Sequence, residues 1–308
     1  TPQRVWMGCS MAASSAPRAG DEDWPLGVFH ERLGRARAAH VGPGPGRPCV
    51  LLTTGAMNPP HKGHCQLLRQ AAERLEREGY QVLGAWMSPS HDEYVGPKAY
   101  RLGTLHLSGR LRLHLANLMV NQDEREEERV DDHEDALVAV GSWEANVHGR
   151  WPDFPEVAGE LERQMKNVAK EMRDPELRAF LGGAPRVFYA CGTDHAKRCG
   201  LYHGFGRFGT ASEGVGVVVV PREGEAAQAE SPAKLVFVAS PAPGDVASFS
   251  STKIRESFRT AGAEEHRYLS HAICKEAADL ILRPTPELRT LFEEDFEKIQ
   301  TELSAAEE

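Results

Sequence analysis

Residues 50–65, with the sequence VLLTTGAMNPPHKGHC, constrain the fold of this chain more than any other segment. An apolar run leads into a turn rich in glycine and proline, and a helical pattern follows the turn. This order predicts a buried strand, a turn and the N terminus of a helix. Gly55 and Gly63 lack a Cβ, so backbone or a ligand can come close at both positions.

Two histidines, His61 and His64, lie on the predicted first turn of that helix. They are three residues apart and therefore share one face of the helix. Helix N termini carry unpaired N–H groups and a partial positive charge, which together favour phosphate binding. The pair therefore predicts a phosphate site, with plain helix capping as the alternative interpretation.

Strand and helix patterns alternate from residue 48 onward. Strands are predicted at 49–53, 80–87, 137–140, 186–190, 214–220 and 235–239, and helices at 64–78, 111–120, 157–172, 251–261, 270–282 and 286–303. Such alternation predicts an α/β fold with a doubly wound parallel sheet, helices on both faces and further helices at the C-terminal end. The acidic run at 123–135 is interpreted as a solvated loop.

The beginning of the chain has a different character. Residues 31–47 are rich in arginine and end in glycine and proline, which is typical of a linker. We therefore predict a flexible N-terminal extension over residues 1–47 and a folded domain over residues 48–308. The arginines leave organellar targeting open, although an acidic cluster at 21–23 argues against it.

Composition argues against several classes of function. The chain has 308 residues, a formal net charge of −9 and no apolar run near the roughly 20 residues of a membrane span, so we expect neither a nucleic-acid partner nor a membrane. None of the six cysteines forms a CxxC pair, which predicts reduced thiols without a zinc site or disulfides. These features favour an intracellular protein of the cytoplasm or nucleus. The oligomeric state stays open, a homo-oligomer included.

Further candidate residues follow other predicted strands, where α/β sheets bind ligands. Lys98 can neutralise a phosphate, and Trp143 can stack on an aromatic ring. Asp194, close to Gly192, can accept hydrogen bonds from a ribose. The alternatives are a surface lysine, a core tryptophan and a helix N-cap.

A second candidate anion site lies at residues 250–255, SSTKIR, which begin another predicted helix. Ser251 and Thr252 bring hydroxyl groups to its first turn, and Arg255 lies one turn further on. An ordinary capped helix start is the alternative. Two such helix starts with basic side chains in one domain predict a clamp for a polyphosphate.

The HKGH segment resembles the HxGH signature of the nucleotidylyltransferase superfamily. Six other segments, in order over about residues 48–285, extend the resemblance to the nicotinamide/nicotinate mononucleotide adenylyltransferases of the eukaryotic type. They are SPSHDEYVGPK, SWEANVHGRW, ACGTDHAK, VVPREG, FSSTKIRESFRTAG and HRYLSHAICKEAADLIL.

This resemblance implies a Rossmann-like fold and the transfer of AMP from ATP to nicotinamide or nicotinate mononucleotide, with release of pyrophosphate. Mg²⁺ would arrive with ATP, without metal ligands from the protein. The implied catalytic contacts are His61, His64 and Arg255. The implied ATP-binding residues are Gly55, Ala56, Met57, Gly192, Asp194, Ser251 and Thr252, and those for the mononucleotide are Lys98, Trp143 and Tyr202.

The chain also departs from the family pattern. Ala56 and Met57 replace the usual Ser-Phe, and Tyr202 stands where the family has a Leu-Trp segment. The preference for the amide or the acid substrate is therefore open. The alternatives are a relative acting on pantetheine phosphate, flavin mononucleotide or a cytidylyl acceptor, and a non-catalytic nucleotide-binding or chaperone-like protein.

Overall fold

The computed structural model describes residues 23–39, 47–127, 136–210, 214–222, 224–226, 228–241, 244–259 and 263–304. The strands in this part of the chain are β1 Arg47–Gly55, β2 Tyr80–Pro89, β3 Val138–Val140, β4 Arg186–Gly192, β5 Gly216–Val220 and β6 Val236–Val238.

Most of the remaining described residues form helices. The α-helices are α1 Gly27–Ala39, α2 Lys62–Arg77, α3 Asp92–Arg101, α4 Gly109–Glu127, α5 Trp143–Asn146, α6 Phe154–Glu171, α7 Pro175–Leu181, α8 Thr193–Arg198, α9 Ser251–Arg259, α10 Ala263–Ala272, α11 Lys275–Leu282, α12 Pro286–Leu291 and α13 Glu293–Ser304. Short 3₁₀ turns occur at Leu201–His203, Pro232–Lys234 and Gly244–Ser248.

The six strands form one sheet in the order β3-β2-β1-β4-β5-β6, and every neighbouring pair is parallel. The chain builds the sheet outward from β1 to β3, then returns to the other side of β1 and continues to β6. This confirms the predicted α/β fold with a doubly wound parallel sheet. The order of the strands reverses between β1 and β4, which is where such sheets bind ligands.

Both faces of the sheet are buried, because successive strand residues point to opposite sides. In β1, Val50 and Leu52 join the apolar cluster that holds α1, α6 and α7, whereas Cys49 and Leu51 join the cluster that holds α2 and part of α4. A third cluster unites α4 with the C-terminal helices. The described cysteines, at 49, 65, 191, 199 and 274, are not joined in disulfides.

The structure differs from the expectation of a flexible extension at residues 23–39. This segment belongs to the cluster that also holds α6 and α7, called here the larger apolar cluster. In it Trp24, Phe29 and Leu33 are 1% exposed or less. Trp24 packs edge-on against Trp86, at 6.4 Å between ring centroids, and a Cβ on Gly141 would lie 2.5 Å from the Trp24 ring. The apolar residues of this segment are few and lie near several arginines. The composition of the segment therefore did not predict that they are buried. Residues 1–22 and 40–46 lie outside the described part.

Three further expectations differ in detail. The segment after β2, where no helix was predicted, is helix α3, whose N terminus is capped by His91 accepting from the Glu93 amide at 3.1 Å. Helix α4 extends into the acidic run as far as Glu127, and the rest of that run lies outside the described residues. Among the described residues the three expected C-terminal helices are five, because the Cys274 cap begins a new helix within 270–282 and Phe292 ends α12 within 286–303. Among the described helices, none is both long enough and apolar enough to cross a membrane.

Candidate functional site

The candidate site lies at the edge of the sheet where the parallel strands end. Leu52 of β1 pairs with Tyr189 of β4, so Gly55 and Gly192, each three residues further on, reach the same edge. The turn after β1 and the helix starts that follow the strands converge there, with their N–H groups directed toward the edge.

A cleft of about 280 Å³ opens at this edge. It is formed by the turn after β1, the first turn of α2, helix α3, the residues after β5 and the first turn of α9. Among the described residues, its lining contains cationic and imidazole side chains but no carboxylate. The predicted site residues that line it are Ala56, Met57, His61, His64, Lys98, Ser251, Thr252 and Arg255.

A larger cavity of about 930 Å³ lies at the opposite edge of the sheet. Arg47 and Arg186, the first residues of β1 and β4, are part of its lining. No predicted site residue lines it. Because ligands of doubly wound sheets bind at the carboxyl ends of the strands, the smaller cleft is the functional candidate.

The two histidines of the HKGH segment pack against each other at the start of α2. Their ring centroids are 3.9 Å apart, and His61 is 8% exposed whereas His64 is half-buried. A Cβ at position 63 would lie 2.9 Å from Nδ1 of His61, closer than side chains tolerate. Gly63 is therefore required for the His61 ring to fold over the helix start.

Burial lowers the pKa of both imidazoles. The pKa of His61 lies well below its ordinary value, because of burial first and then the nearby His64 and Arg222. Burial also lowers the pKa of His64 to about 4, although a hydrogen bond to the His61 backbone opposes the shift. Both rings are consequently neutral at pH 7, so each can offer one N–H donor.

Arg255 and the start of α9 are held against the turn that precedes α2. The Arg255 Nη1 donates to the Asn58 carbonyl at 2.6 Å, and Nη2 lies 3.3 Å from Oγ1 of Thr252. Ser251 Oγ donates to the Pro59 carbonyl at 2.7 Å. These contacts bring together two helix starts that are almost 200 residues apart in sequence. The two bridging hydrogen bonds join residues that are 192 and 197 positions apart.

The turn after β1 carries a residue in an unusual conformation. Met57 has φ of +44°, in the left-handed region that non-glycine residues rarely adopt, and its side chain is 2% exposed. The Asn58–Pro59 peptide bond that follows Asn58 is cis. Left-handed backbone at a non-glycine residue such as Met57 clusters at functional sites.

Lys98 lines the cleft from helix α3. It is half-buried, and its Nζ lies 5.5 Å from the centre of the Tyr94 ring. Pro97 lies inside this helix, one residue before Lys98. An internal proline and a histidine cap are weak helix signals in a sequence, which explains why no helix was predicted for this segment.

Arg222 also lines the cleft and was not among the predicted site residues. It is exposed, and it lies close enough to the two histidines to lower the pKa of both. A signal was available, because Arg222 follows β5 by two residues and so falls at the ligand-binding edge.

Five other predicted residues do not line the cleft. Gly192 ends β4 and is itself the N-cap of α8, so Asp194 is an exposed first-turn residue and not the cap. Trp143 begins α5 and is half-buried against the larger apolar cluster. Tyr202 is 3% exposed and belongs to that cluster. Gly55 directly precedes the cleft residue Ala56.

Glu144, next to Trp143, is a buried acid that the sequence did not single out. It is 3% exposed and accepts a hydrogen bond from Ser88 Oγ at 2.9 Å. Burial raises the pKa of Glu144 to about 7, although hydrogen bonds from Ser90 and Ser88 oppose the shift. This carboxyl is therefore partly protonated at neutral pH.

Comparison with curated proteins finds similarity to plant enzymes. A nicotinamide/nicotinic acid mononucleotide adenylyltransferase of Oryza sativa subsp. japonica is 30% identical over 146 residues, which are 47% of this chain and 47% of that protein. A protein of the same description from Arabidopsis thaliana is 42% identical over 45 residues, 15% of this chain and 19% of that protein. The matched segments thus span less than half the length of these curated relatives. No protein-family model matches the chain.

Comparison with solved structures finds Plasmodium falciparum nicotinic acid mononucleotide adenylyltransferase complexed with APC. It is 10% identical, with a TM-score of 0.47, and the match covers 77% of this chain and 95% of that one. The same protein complexed with NaAD gives a TM-score of 0.46 at the same coverage. Structural likeness at this level adds nothing to the interpretation of the cleft.

Proposed function

We propose that this protein transfers AMP from ATP to nicotinamide or nicotinate mononucleotide, forming the dinucleotide and pyrophosphate. The cleft carries this proposal, because it brings His61, His64 and Arg255 together from segments almost 200 residues apart. Neutral imidazole donors, a guanidinium and two helix starts suit the phosphates of ATP. The sequence similarity to the plant enzymes favours the pyridine mononucleotide as acceptor.

In this proposal the protein acts by positioning and by charge stabilisation. The 5′-phosphate of the mononucleotide attacks the α-phosphorus of ATP, and pyrophosphate leaves with the bonding electrons. His61 and His64 donate hydrogen bonds to the phosphates, and Arg255 stabilises the charge that develops on them. Lys98, on the α3 side of the cleft, neutralises the acceptor phosphate. No covalent intermediate with the protein is required.

The remaining groups of the two nucleotides would extend beyond the cleft, whose 280 Å³ is small for two nucleotides. We propose that Gly55, Ala56 and Met57 hold ATP by backbone contacts, that Ser251 and Thr252 assist at its phosphates, and that Gly192 and Asp194 receive its ribose and adenine. Trp143, which is only half-buried, would stack on the pyridine. The burial of Tyr202 favours a packing role for this residue.

Mg²⁺ would belong to the substrate as its ATP complex. Among the described residues no group of three or more acidic, histidine or cysteine side chains is arranged to hold a metal ion, and the cleft lining offers no carboxylate. Magnesium bound to ATP keeps phosphate and water oxygens as ligands. The cationic lining then neutralises the charge that the ion leaves uncompensated.

The test is a turnover assay with ATP, Mg²⁺ and each of the two mononucleotides in turn, with the dinucleotide and pyrophosphate both measured. Parallel reactions replace the acceptor by pantetheine phosphate or flavin mononucleotide, or replace ATP by CTP with a phosphorylated alcohol. We expect product only with the pyridine mononucleotides. Product with another acceptor would reassign the substrate. ATP binding measured by calorimetry, without turnover on any acceptor, would favour the non-catalytic alternative.

A further inference from the structure

Arg112, on the first turn of α4, is a fully buried arginine behind the cleft. Its exposed fraction is 0%, and its guanidinium donates in three directions. Nη1 donates to the Ala56 carbonyl at 2.8 Å, Nη2 to Oδ1 of Asp92 at 2.7 Å, and Nε to the Leu107 carbonyl at 3.0 Å. A charge so removed from water persists only where partners of this kind surround it.

Two of these partners belong to opposite sides of the cleft. Ala56 lies in the turn after β1, beside the helix start that bears His61. Asp92 is the first residue of α3, the helix that carries Lys98. Arg112 does not line the cleft itself, but its fork spans the two elements that do.

Asp92 makes the α3 end of this link rigid. Its Oδ2 accepts from the Gly109 amide at 2.8 Å, and its Oδ1 lies 3.2 Å from Nε2 of His106 as well as near Arg112. These donors hold the pKa of Asp92 well below its usual range, although burial acts in the opposite direction. The carboxylate is therefore charged throughout the neutral range and stays paired with Arg112.

A parallel link runs through the turn itself. The Asn58 side chain donates to the Leu105 carbonyl at 2.7 Å and accepts from the Leu107 amide at 2.9 Å. The turn after β1 and the 105–109 segment are thus joined at two points, Asn58 and Arg112. Of these two side chains, Arg112 is the one that also bonds α3, through Asp92.

We infer that Arg112 is a positioning residue, which holds the Ala56 turn and the Lys98 helix at one fixed separation across the cleft. The role of Lys98 at the acceptor phosphate rests on the proposed function. With that role, Arg112 sets the distance between the ATP phosphates and the acceptor phosphate. The arrangement needs the planar fork of arginine, because three separate guanidinium nitrogens reach the three acceptors, whereas a lysine ammonium donates from a single nitrogen.

Hydrogen–deuterium exchange of the full chain tests this link without requiring turnover. The variants are Arg112→Lys, which keeps the charge, and Asp92→Ala, which removes the α3 end of the link together with the Asp92 contacts to Gly109 and His106. Arg110→Lys is the matched control, since Arg110 is an exposed residue of the same helix turn. We expect Arg112→Lys to speed amide exchange in the 56–64 turn and in α3 roughly tenfold or more, and Asp92→Ala to do so in α3 alone.

Amides of β4 serve as the internal reference for global stability. Equal acceleration in β4, the turn and α3 would reduce Arg112 to a general stability residue and overturn the inference. Unchanged exchange in both variants would overturn it as well.

Kinetics then separate this inference from the proposed function. If the wild type turns over, Asp92→Ala should raise KM for the mononucleotide roughly tenfold with little change in KM for ATP, whereas Arg112→Lys should also lower kcat. Unaltered constants in both variants would contradict the positioning role. If the wild type shows no turnover on any acceptor, the proposed function fails, and the exchange pattern alone decides on Arg112.

Discussion

Nδ1 of His64 lies 3.1 Å from the backbone nitrogen of His61, and the two imidazole rings are tilted by 41°. The same Nδ1 is 3.2 Å from the His61 carbonyl oxygen. A backbone N–H can only donate, so Nδ1 of His64 must accept the hydrogen bond from the His61 N–H. The neutral His64 tautomer that allows this carries its proton on Nε2. His64 then keeps its one ring proton for a ligand in the cleft.

This arrangement predicts a large and specific effect of His64→Ala. Loss of one preorganised donor to a developing charge lowers kcat by about a hundredfold or more. The melting temperature should change little, because His64 is half-buried and packs mainly on His61. Steady-state kinetics and a melting curve provide the check, with exposed His148→Ala as control. Near-native turnover by a folded His64→Ala protein would contradict the phosphate role.

Arg255 should not be replaceable by lysine. Arg255→Ala should raise KM for ATP and lower kcat, and Arg255→Lys should recover only part of the loss, because a guanidinium fork can bind two phosphate oxygens while contacting Asn58. Kinetics with ATP as the varied substrate measure this. The Arg289→Lys variant, at an exposed position, controls for the effect of an arginine-to-lysine substitution as such. Full activity in Arg255→Lys would mean that only the charge matters.

Two variants of Trp143 distinguish stacking on the substrate from core packing. In Trp143→Phe the phenylalanine retains much of the apolar contact with the core, so the melting temperature of this variant should fall only slightly. If the indole stacks on the pyridine, Trp143→Ala should raise KM for the mononucleotide roughly two- to tenfold over that for ATP, since such contacts contribute about 0.5–1.5 kcal/mol. Titration of both substrates decides. An equal rise in both constants, together with a large loss of stability, would identify Trp143 as structural.

The buried carboxyl of Glu144 should make stability depend on pH. Its pKa is raised to about 7, so between pH 4.5 and 7 the folded protein retains a proton that the unfolded chain has released. Stability from this group is therefore present at pH 5 and is lost as pH rises through 7, by on the order of 2–3 kcal/mol.

Glu144→Gln removes this titration while preserving the shape of the side chain. We expect the variant to match the wild type at pH 5 and to be more stable at pH 8, as measured by urea unfolding at both values. Glu73→Gln, at an exposed position of α2, is the matched control. The same pH profile in wild type and Glu144→Gln would show that another group governs this range.

The N-terminal helix α1 should contribute strongly to stability. Phe29 is 0% exposed in the larger apolar cluster, so Phe29→Ala should cost about 3–5 kcal/mol. The exposed Arg35→Ala on the same helix should change stability by less than about 0.5 kcal/mol. Denaturant midpoints give both numbers. If both substitutions changed the free energy of unfolding by equally small amounts, residues 23–39 would be an extension that contributes little to stability.

Periodicity carried most of the fold prediction. The apolar runs of β1, β4 and β5 are short, continuous and buried on both sides, and the α2 pattern has one apolar face. Local signals of this strength identify buried parallel strands and amphipathic helices. The helix starts at His61–His64 and at Ser251 were predicted for the same reason, since a helix start with candidate phosphate-binding side chains is a local feature of the sequence.

Only the tertiary structure decided how these local features meet. Arg255 donates a hydrogen bond to Asn58, which lies in a turn 197 residues away in sequence. Arg112 connects Ala56 to Asp92 from inside the protein. Such contacts arise from packing, and a single sequence has no periodicity that encodes them. The same holds for the burial of Phe29 and Glu144, because the sequence determines which side chains are apolar or acidic, whereas the fold determines which of them are removed from water.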